Sequence, residues 1–214
     1  MKDAILLAAL VHVPFDGWTR TALRRGAADA GYGADASRRA FPGGLREWAG
    51  YFSDYADRRM IEALGGHDLS ETRVRDKVTL AVRLRLEALA PHREAVRAAA
   101  AFLAIPVNVP LATRLTYRTV NAIWYAAGDT AADFNFYTKR GLLAAVYGAT
   151  VLYWLNDTSE GGRDTWSFLD RRIGDVMKIP GYSARAKKFL ERLPNPFGTL
   201  RALRKPLRRF DSGR

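Results

Sequence analysis

Histidine, cysteine and paired carboxylates carry most metal and acid–base chemistry, and this 214-residue chain is sparing with them. Cysteine is absent, which removes disulfides, thiolate zinc sites, iron–sulfur clusters and cysteine nucleophiles together. The three histidines, His12, His67 and His92, stand far apart. None follows Glu or Asp by three residues, as a di-iron Glu-x-x-His arrangement requires. Neither His-Glu-x-x-His nor Gly-x-Ser-x-Gly occurs. Gly31-Tyr-Gly33-Ala-Asp-Ala36 fits a loose Gly-x-Gly-x-x-Ala pattern, but it follows a helical segment instead of the strand a dinucleotide site needs. Asp129, Asp133 and Asp157 read as helix caps and turn formers. No catalytic residue, metal site or cofactor is expected.

Binding chemistry is better supplied. Trp124, Tyr147, Trp154 and Trp166 fall on successive predicted helices, with Ile123, Leu143, Val146, Val151, Leu169 and Ile173 around them. Such residues build a packed core or line an apolar cavity for a lipid or isoprenoid, and spacing alone does not separate the two. The chain carries +12 at neutral pH, which points to an anionic partner, nucleic acid or membrane. From Tyr182 onward ten basic residues face two acidic ones, so the tail holds +8 of that charge. Phe197, Leu200, Leu203, Leu207 and Phe210 recur there at steps of three and four, with Arg201, Arg204, Lys205 and Arg208 between them. A helix with a cationic face opposite Phe and Leu lies in a membrane interface. Tyr137, Lys139 and Arg140 place an aromatic beside arginine, the composition of a protein-binding anchor.

The elements that must position these residues are helical throughout. Apolar residues recur at helical spacing and no segment alternates apolar with polar. The pattern predicts helices over Asp3 to Val13, stopped by Pro14; Arg20 to Ala30, capped by Thr19 and ended by Gly31; Asp35 to Ala40; and a longer one ending at Gly65-Gly66. That order is a helix-turn-helix headpiece over residues 1–66. Further helices are predicted from a Ser70 cap to Leu89, over Arg93 to Leu103, and over Leu111 to Ala127, with Pro106 to Pro110 as an extended connector. Thr130 to Asp133 resembles a capping box for a helix reaching Asp157. Because Leu142 to Leu155 holds no charge, that helix should be enclosed by the others; at this length it is too short to span a bilayer. A further helix carries Trp166, Leu169, Ile173 and Val176 on one stripe. The chain thus divides into a headpiece (1–66), a helical domain for lipid and dimerisation (67–181) and a basic tail (182–214).

Several segments together resemble one family. His12-Val-Pro-Phe-Asp-Gly-Trp-Thr19, Arg73-Val-Arg-Asp-Lys-Val-Thr79, Trp124-Tyr-Ala-Ala-Gly-Asp129, Asp133-Phe-Asn-Phe-Tyr-Thr-Lys-Arg140 and Asp164-Thr-Trp-Ser-Phe-Leu-Asp-Arg-Arg-Ile173 are similar to the Coq-nine family of ubiquinone-biosynthesis accessory proteins. The resemblance implies an all-α, TetR-like fold, usually a homodimer, that binds lipids and isoprenoid quinone intermediates without being an enzyme. It implies a C-terminal amphipathic helix on the membrane and assistance to the di-iron hydroxylase acting on demethoxyubiquinone. The docking surface for that hydroxylase maps to Asp133, Asn135, Phe136, Tyr137, Thr138, Lys139 and Arg140, with Phe136 where some members have tryptophan.

The competing class is a TetR-type transcriptional regulator. Such proteins usually carry Lys, Gly, Thr and Tyr where this chain has Ala34, Asp35, Ala36 and Arg38. Loss of the phosphate-contacting Lys and placement of Asp35 at the start of the recognition helix weaken DNA binding. Ala4 to Val11 is apolar but lacks a basic flank and a small-residue cleavage site, so it reads as a buried helix face. With no mitochondrial presequence visible, the expected location is bacterial cytoplasm, peripheral to the inner membrane, or the matrix side in a eukaryote.

Overall fold

The computed structural model describes residues 1–33, 35–128 and 135–177, excepting the side chains of Asn135, Phe136 and Met177. Among these residues every regular element is helical. The first helices are α1 (Lys2–Asp16), α2 (Arg20–Asp29), α3 (Ala36–Ala40) and α4 (Gly44–Gly65). Thr19 caps α2, its hydroxyl accepting from the Ala22 amide at 3.3 Å. At the other end Gly31 takes φ +77°, and the amides of Gly31 and Tyr32 donate to Ala28 and Ala27, satisfying carbonyls the helix leaves open. α1 crosses α2 so closely that a Cβ on Gly26 would stand 2.3 Å from the Ala9 nitrogen; only glycine allows the approach. Ile5, Leu6, Leu10, Val13 and Leu23 fill that contact. Trp18 stacks on Trp48 of α4 at 3.8 Å between ring centres.

α1 does not stop at Pro14 as the sequence pattern predicts; it continues to Asp16. Proline removes one amide, but the Gly17 amide closes the turn onto Val13 at 2.8 Å. Both carboxylate oxygens of Asp16 accept from Arg25 at 2.8–2.9 Å, which ties the last turn of α1 to α2.

The remaining helices are α5 (Val74–Leu89), α6 (Arg93–Ala104), α7 (Val109–Ala126), α8 (Asn135–Asn156) and α9 (Arg163–Met177). Three expectations are corrected here. Ser70 does not cap α5: its amide and hydroxyl both donate to Asp68, making a turn that ends before the helix begins. Pro106 to Pro110 is not extended, because each proline opens a helical turn, Pro106 a 3₁₀ turn through Asn108 and Pro110 the first turn of α7. The buried Asn108 side chain donates to the Phe102 carbonyl at 2.9 Å and fixes the bend. Finally, α8 is not enclosed. It lies against α7 and α9, and its outer face, with Ala145, Ala149 and Leu152, is open in the single chain. Absence of charge marks a helix that can be buried, and the number of neighbours decides how much of it is.

Residues Met1–Lys178 form one compact unit. The capping box at Thr130 to Asp133 lies outside the described residues, as does the tail with Phe197, Leu200, Arg201, Leu203, Arg204, Lys205, Leu207, Arg208 and Phe210.

Candidate ligand cavity and partner surface

The apolar stripe of α5 runs through Val78, Val82, Leu86 and Leu89, all buried. Arg85 falls on the same stripe, three residues after Val82 and four before Leu89, and is only 4% exposed. α4 repeats the pattern: Asp57 stands between Ala56 and Met60 on its buried face. The two meet, the Arg85 Nε–H donating to Asp57 Oδ1 at 2.7 Å. Thr119 of α7, wholly buried, donates its hydroxyl to the same carboxylate at 3.0 Å. The remaining guanidinium nitrogens reach Ser53 Oγ at 3.1 Å, Thr119 Oγ1 at 3.3 Å and the Tyr147 phenol of α8. Burial holds the Tyr147 phenol above its usual range, with Asp57 acting in the same direction and Arg85 against it. The phenol therefore stays protonated.

Arg85, Ser53, Thr119 and Tyr147 form part of the wall of a cavity of about 420 Å³ bounded by α4, α5, α6, α7 and α8, with Asp57 behind them. The rest of the wall is apolar, including Phe52, Leu89, Val96, Leu103, Leu115 and Val151. Mostly apolar walls with a few convergent polar groups, in a volume of this order, describe a small-molecule site between helices.

Of the residues expected to hold lipid, Tyr147 and Val151 line this cavity. Ile123, Trp124, Leu143, Val146, Trp154, Leu169 and Ile173 belong to the packed core. Trp166 is half-buried, its indole donating to the Gly161 carbonyl at 2.8 Å. Arg85, Asp57, Ser53 and Thr119 were not anticipated, although a charge set into an apolar helical stripe is a signal the sequence does carry for the first two.

The partner motif is split by depth. Tyr137 is 72% exposed. The half-buried Lys139 places its ammonium 5.5 Å over the Trp124 ring. Arg140 is only 1% exposed, and its Nε–H donates to Asn121 Oδ1 of α7 at 2.8 Å. It anchors the first turns of α8 to α7. Asp133 and the side chains of Asn135 and Phe136 lie outside the described residues.

Among the described residues no three His, Asp or Glu side chains come together. His12 meets Asp29, the His67 Nδ1 faces the Ala63 carbonyl, and burial lowers the pKa of His92. No single helix among them is long and apolar enough to cross a membrane.

The sequence model of the COQ9 family matches residues 109–180, which takes in α7, α8 and α9. The human ubiquinone biosynthesis protein COQ9, mitochondrial, is 34% identical over 195 residues, 88% of this chain and 61% of that protein. The chain is thus similar to COQ9 proteins over most of its length. The Drosophila melanogaster COQ9 is 36% identical over 184 residues, covering 84% of this chain and 56% of its own length. The chain spans about three fifths of the length of the curated relatives it matches. Among solved structures, the TetR transcriptional regulator from Nitrosomonas europaea aligns with a TM-score of 0.69 at 24% identity, over 84% of this chain and 99% of the other. The chain therefore has a TetR-like fold.

Proposed function

We propose that the protein is a non-enzymatic accessory of ubiquinone biosynthesis that holds a phospholipid or isoprenoid quinone intermediate in the cavity between α4 and α8. In this reading residues 67–181 bind the lipid, residues 182–214 rest on an anionic membrane, and residues 1–66 are a helix-turn-helix-like headpiece. The surface at the start of α8, with Tyr137 foremost, receives the demethoxyubiquinone hydroxylase. Lys139 and Arg140 set the position of that surface from below. The relatives are named as mitochondrial proteins; for this chain the proposed place is the membrane face where quinone synthesis occurs. A second copy packs on α8 at Ala145 and Ala149, short of Leu152, which makes the working unit a homodimer.

The observation that carries the reading is the largely apolar cavity in a chain similar to COQ9 proteins. Native mass spectrometry followed by denaturing lipid extraction tests it. Expected is about one co-purified phospholipid or isoprenoid quinone per chain; a protein that stays empty when offered either overturns the lipid reading. Docking is tested separately: Tyr137→Lys, at an exposed position, should abolish capture of the hydroxylase while the protein stays folded.

DNA binding finds less support in the headpiece. α3 is a single short turn of helix, and one of its two arginines, Arg38, pairs with Asp35 at its start.

A further inference from the structure

The cavity is not uniform along its length, and the gradient runs in one direction. Its deep end holds Arg85, Thr119, Ser53 and Tyr147. Its other end is marked by lining residues that reach solvent, Ala104, Val109 at 47% exposure and Leu152 at 62%. Ile105 and Val107, on the turn between α6 and α7, extend this exposed apolar rim. Val109 and Thr119 stand ten residues apart on α7, so rim and floor are separated by about 15 Å at 1.5 Å per residue. An apolar chain is favoured at such a mouth and a polar group at such a floor.

The hydrogen-bond inventory of the floor narrows the polar group. Asp57 balances the Arg85 charge and takes the Thr119 proton. Tyr147 and Ser53 accept from Arg85, which leaves each hydroxyl with its own O–H to give. The floor is thus electrically balanced and offers donors. Arg85, the charged residue of the lining, is already neutralised by Asp57 behind it, so an anionic head would bring an unbalanced charge into a largely apolar site, where such charges are costly.

Resting on the lipid reading above, we infer that the cavity takes its ligand head-first: an uncharged ring bearing acceptor oxygens sits on Ser53 and Tyr147, and its apolar chain leaves past Leu152 and Val109. A cavity of about 420 Å³ is the size of a drug-like body, so a long isoprenoid chain continues outside it, where the exposed rim meets it.

The test uses the full chain and displacement of a fluorescent apolar probe, N-phenyl-1-naphthylamine. Three competitors share one tail: decylubiquinone has an uncharged acceptor head, decylbenzene a ring without oxygen, and decyl phosphate an anionic head. Decylubiquinone should compete best. Tyr147→Phe and Ser53→Ala, which alter no charge, should each weaken it about three- to tenfold, the worth of one hydrogen bond, and leave decylbenzene unchanged. Leu152→Arg, at an exposed position, should weaken all decyl probes yet spare the tail-less dimethoxy-methyl benzoquinone. Equal competition by decylubiquinone and decylbenzene, stronger competition by decyl phosphate, or indifference to Tyr147→Phe and Ser53→Ala would overturn the head-first assignment while the lipid reading stands. Failure of every decyl probe to enter the wild-type protein would overturn both.

Discussion

At the scale of single residues the Arg85–Asp57 pair is the most consequential feature of the body. Both side chains have left water, and desolvation of two ions is offset only where geometry is good and the remaining donors are met. Here the Nε–Oδ1 contact is 2.7 Å, Thr119 completes the carboxylate, and Ser53 and Tyr147 take up the other guanidinium protons. Removing one partner strands the other. Asp57→Ala should therefore cost about 3–5 kcal/mol, the range for a broken buried pair, read as a fall in the urea midpoint at neutral pH. The double variant Asp57→Ala/Arg85→Met should recover much of that loss, since no unpaired charge is left; a double variant no more stable than the single one would mean the charge is not what matters. Both residues were legible as charges on apolar stripes. What they face was not, because the cavity is made by side chains from separate helices whose contacts no local pattern records.

At the scale of elements, the ends of helices explain where periodicity succeeds and where it fails. Thr19 and Gly31 mark α2 in the sequence because cap and terminator act within a few residues. Pro14 and the Pro106–Pro110 segment misled because proline is compatible with a helical turn when a neighbouring contact closes it, and those contacts, Asp16 with Arg25 and Asn108 with Phe102, are set by tertiary packing. The junction of α8 and α9 has a terminator of the same distant kind. Asp157, expected as a helix cap or turn former, accepts from the Ser159 amide at 2.8 Å and from the Thr165 amide and hydroxyl at 2.9 and 2.5 Å. Burial favours its protonation, but the hydrogen bonds from Thr165 and Ser159 outweigh this and hold the carboxyl well below the usual carboxylate range. Arg93 and Arg97 meanwhile donate to the last carbonyls of α8, Trp154, Leu155 and Asp157. The folded carboxyl has the lower pKa, so below the ordinary Asp range the unfolded chain binds more protons. The stability Asp157 contributes is present at neutral pH and is lost as pH falls below about 4 toward the folded value. Thermal unfolding followed from pH 7 to pH 3 should show a falling midpoint, and Asp157→Asn should be less stable by about 1.5–3 kcal/mol at pH 7, the worth of charged hydrogen bonds, with a shallower decline in acid. Parallel curves for the two proteins would remove Asp157 from the account.

For the whole molecule, the proposed homodimer and membrane contact rest on how apolar surface and charge are distributed. The open face of α8 carries the small residues Ala145 and Ala149, a surface on which helices approach closely. If a second copy covers it, Ala149→Arg should shift the protein to monomer in sedimentation velocity without altering its helical circular dichroism, and an unchanged dimer would place the contact elsewhere. The tail is the proposed membrane contact. It holds +8 of the chain's +12 with phenylalanine and leucine at helical spacing, and basic side chains near an anionic leaflet each contribute about 1 kcal/mol while apolar ones anchor the helix. The electrostatic share is screened by salt and the apolar share is not. Co-sedimentation of the full chain with phosphatidylglycerol-containing vesicles should thus be strong at low salt and weaken steeply as salt rises. It should drop further when Phe197, Leu200, Leu203, Leu207 and Phe210 are replaced by serine at constant charge, and neutral phosphatidylcholine vesicles should bind little. Binding that is equal on both vesicle types and indifferent to salt would assign membrane contact to the exposed apolar rim of the cavity instead of the tail. That outcome would put the mouth of the cavity itself on the bilayer.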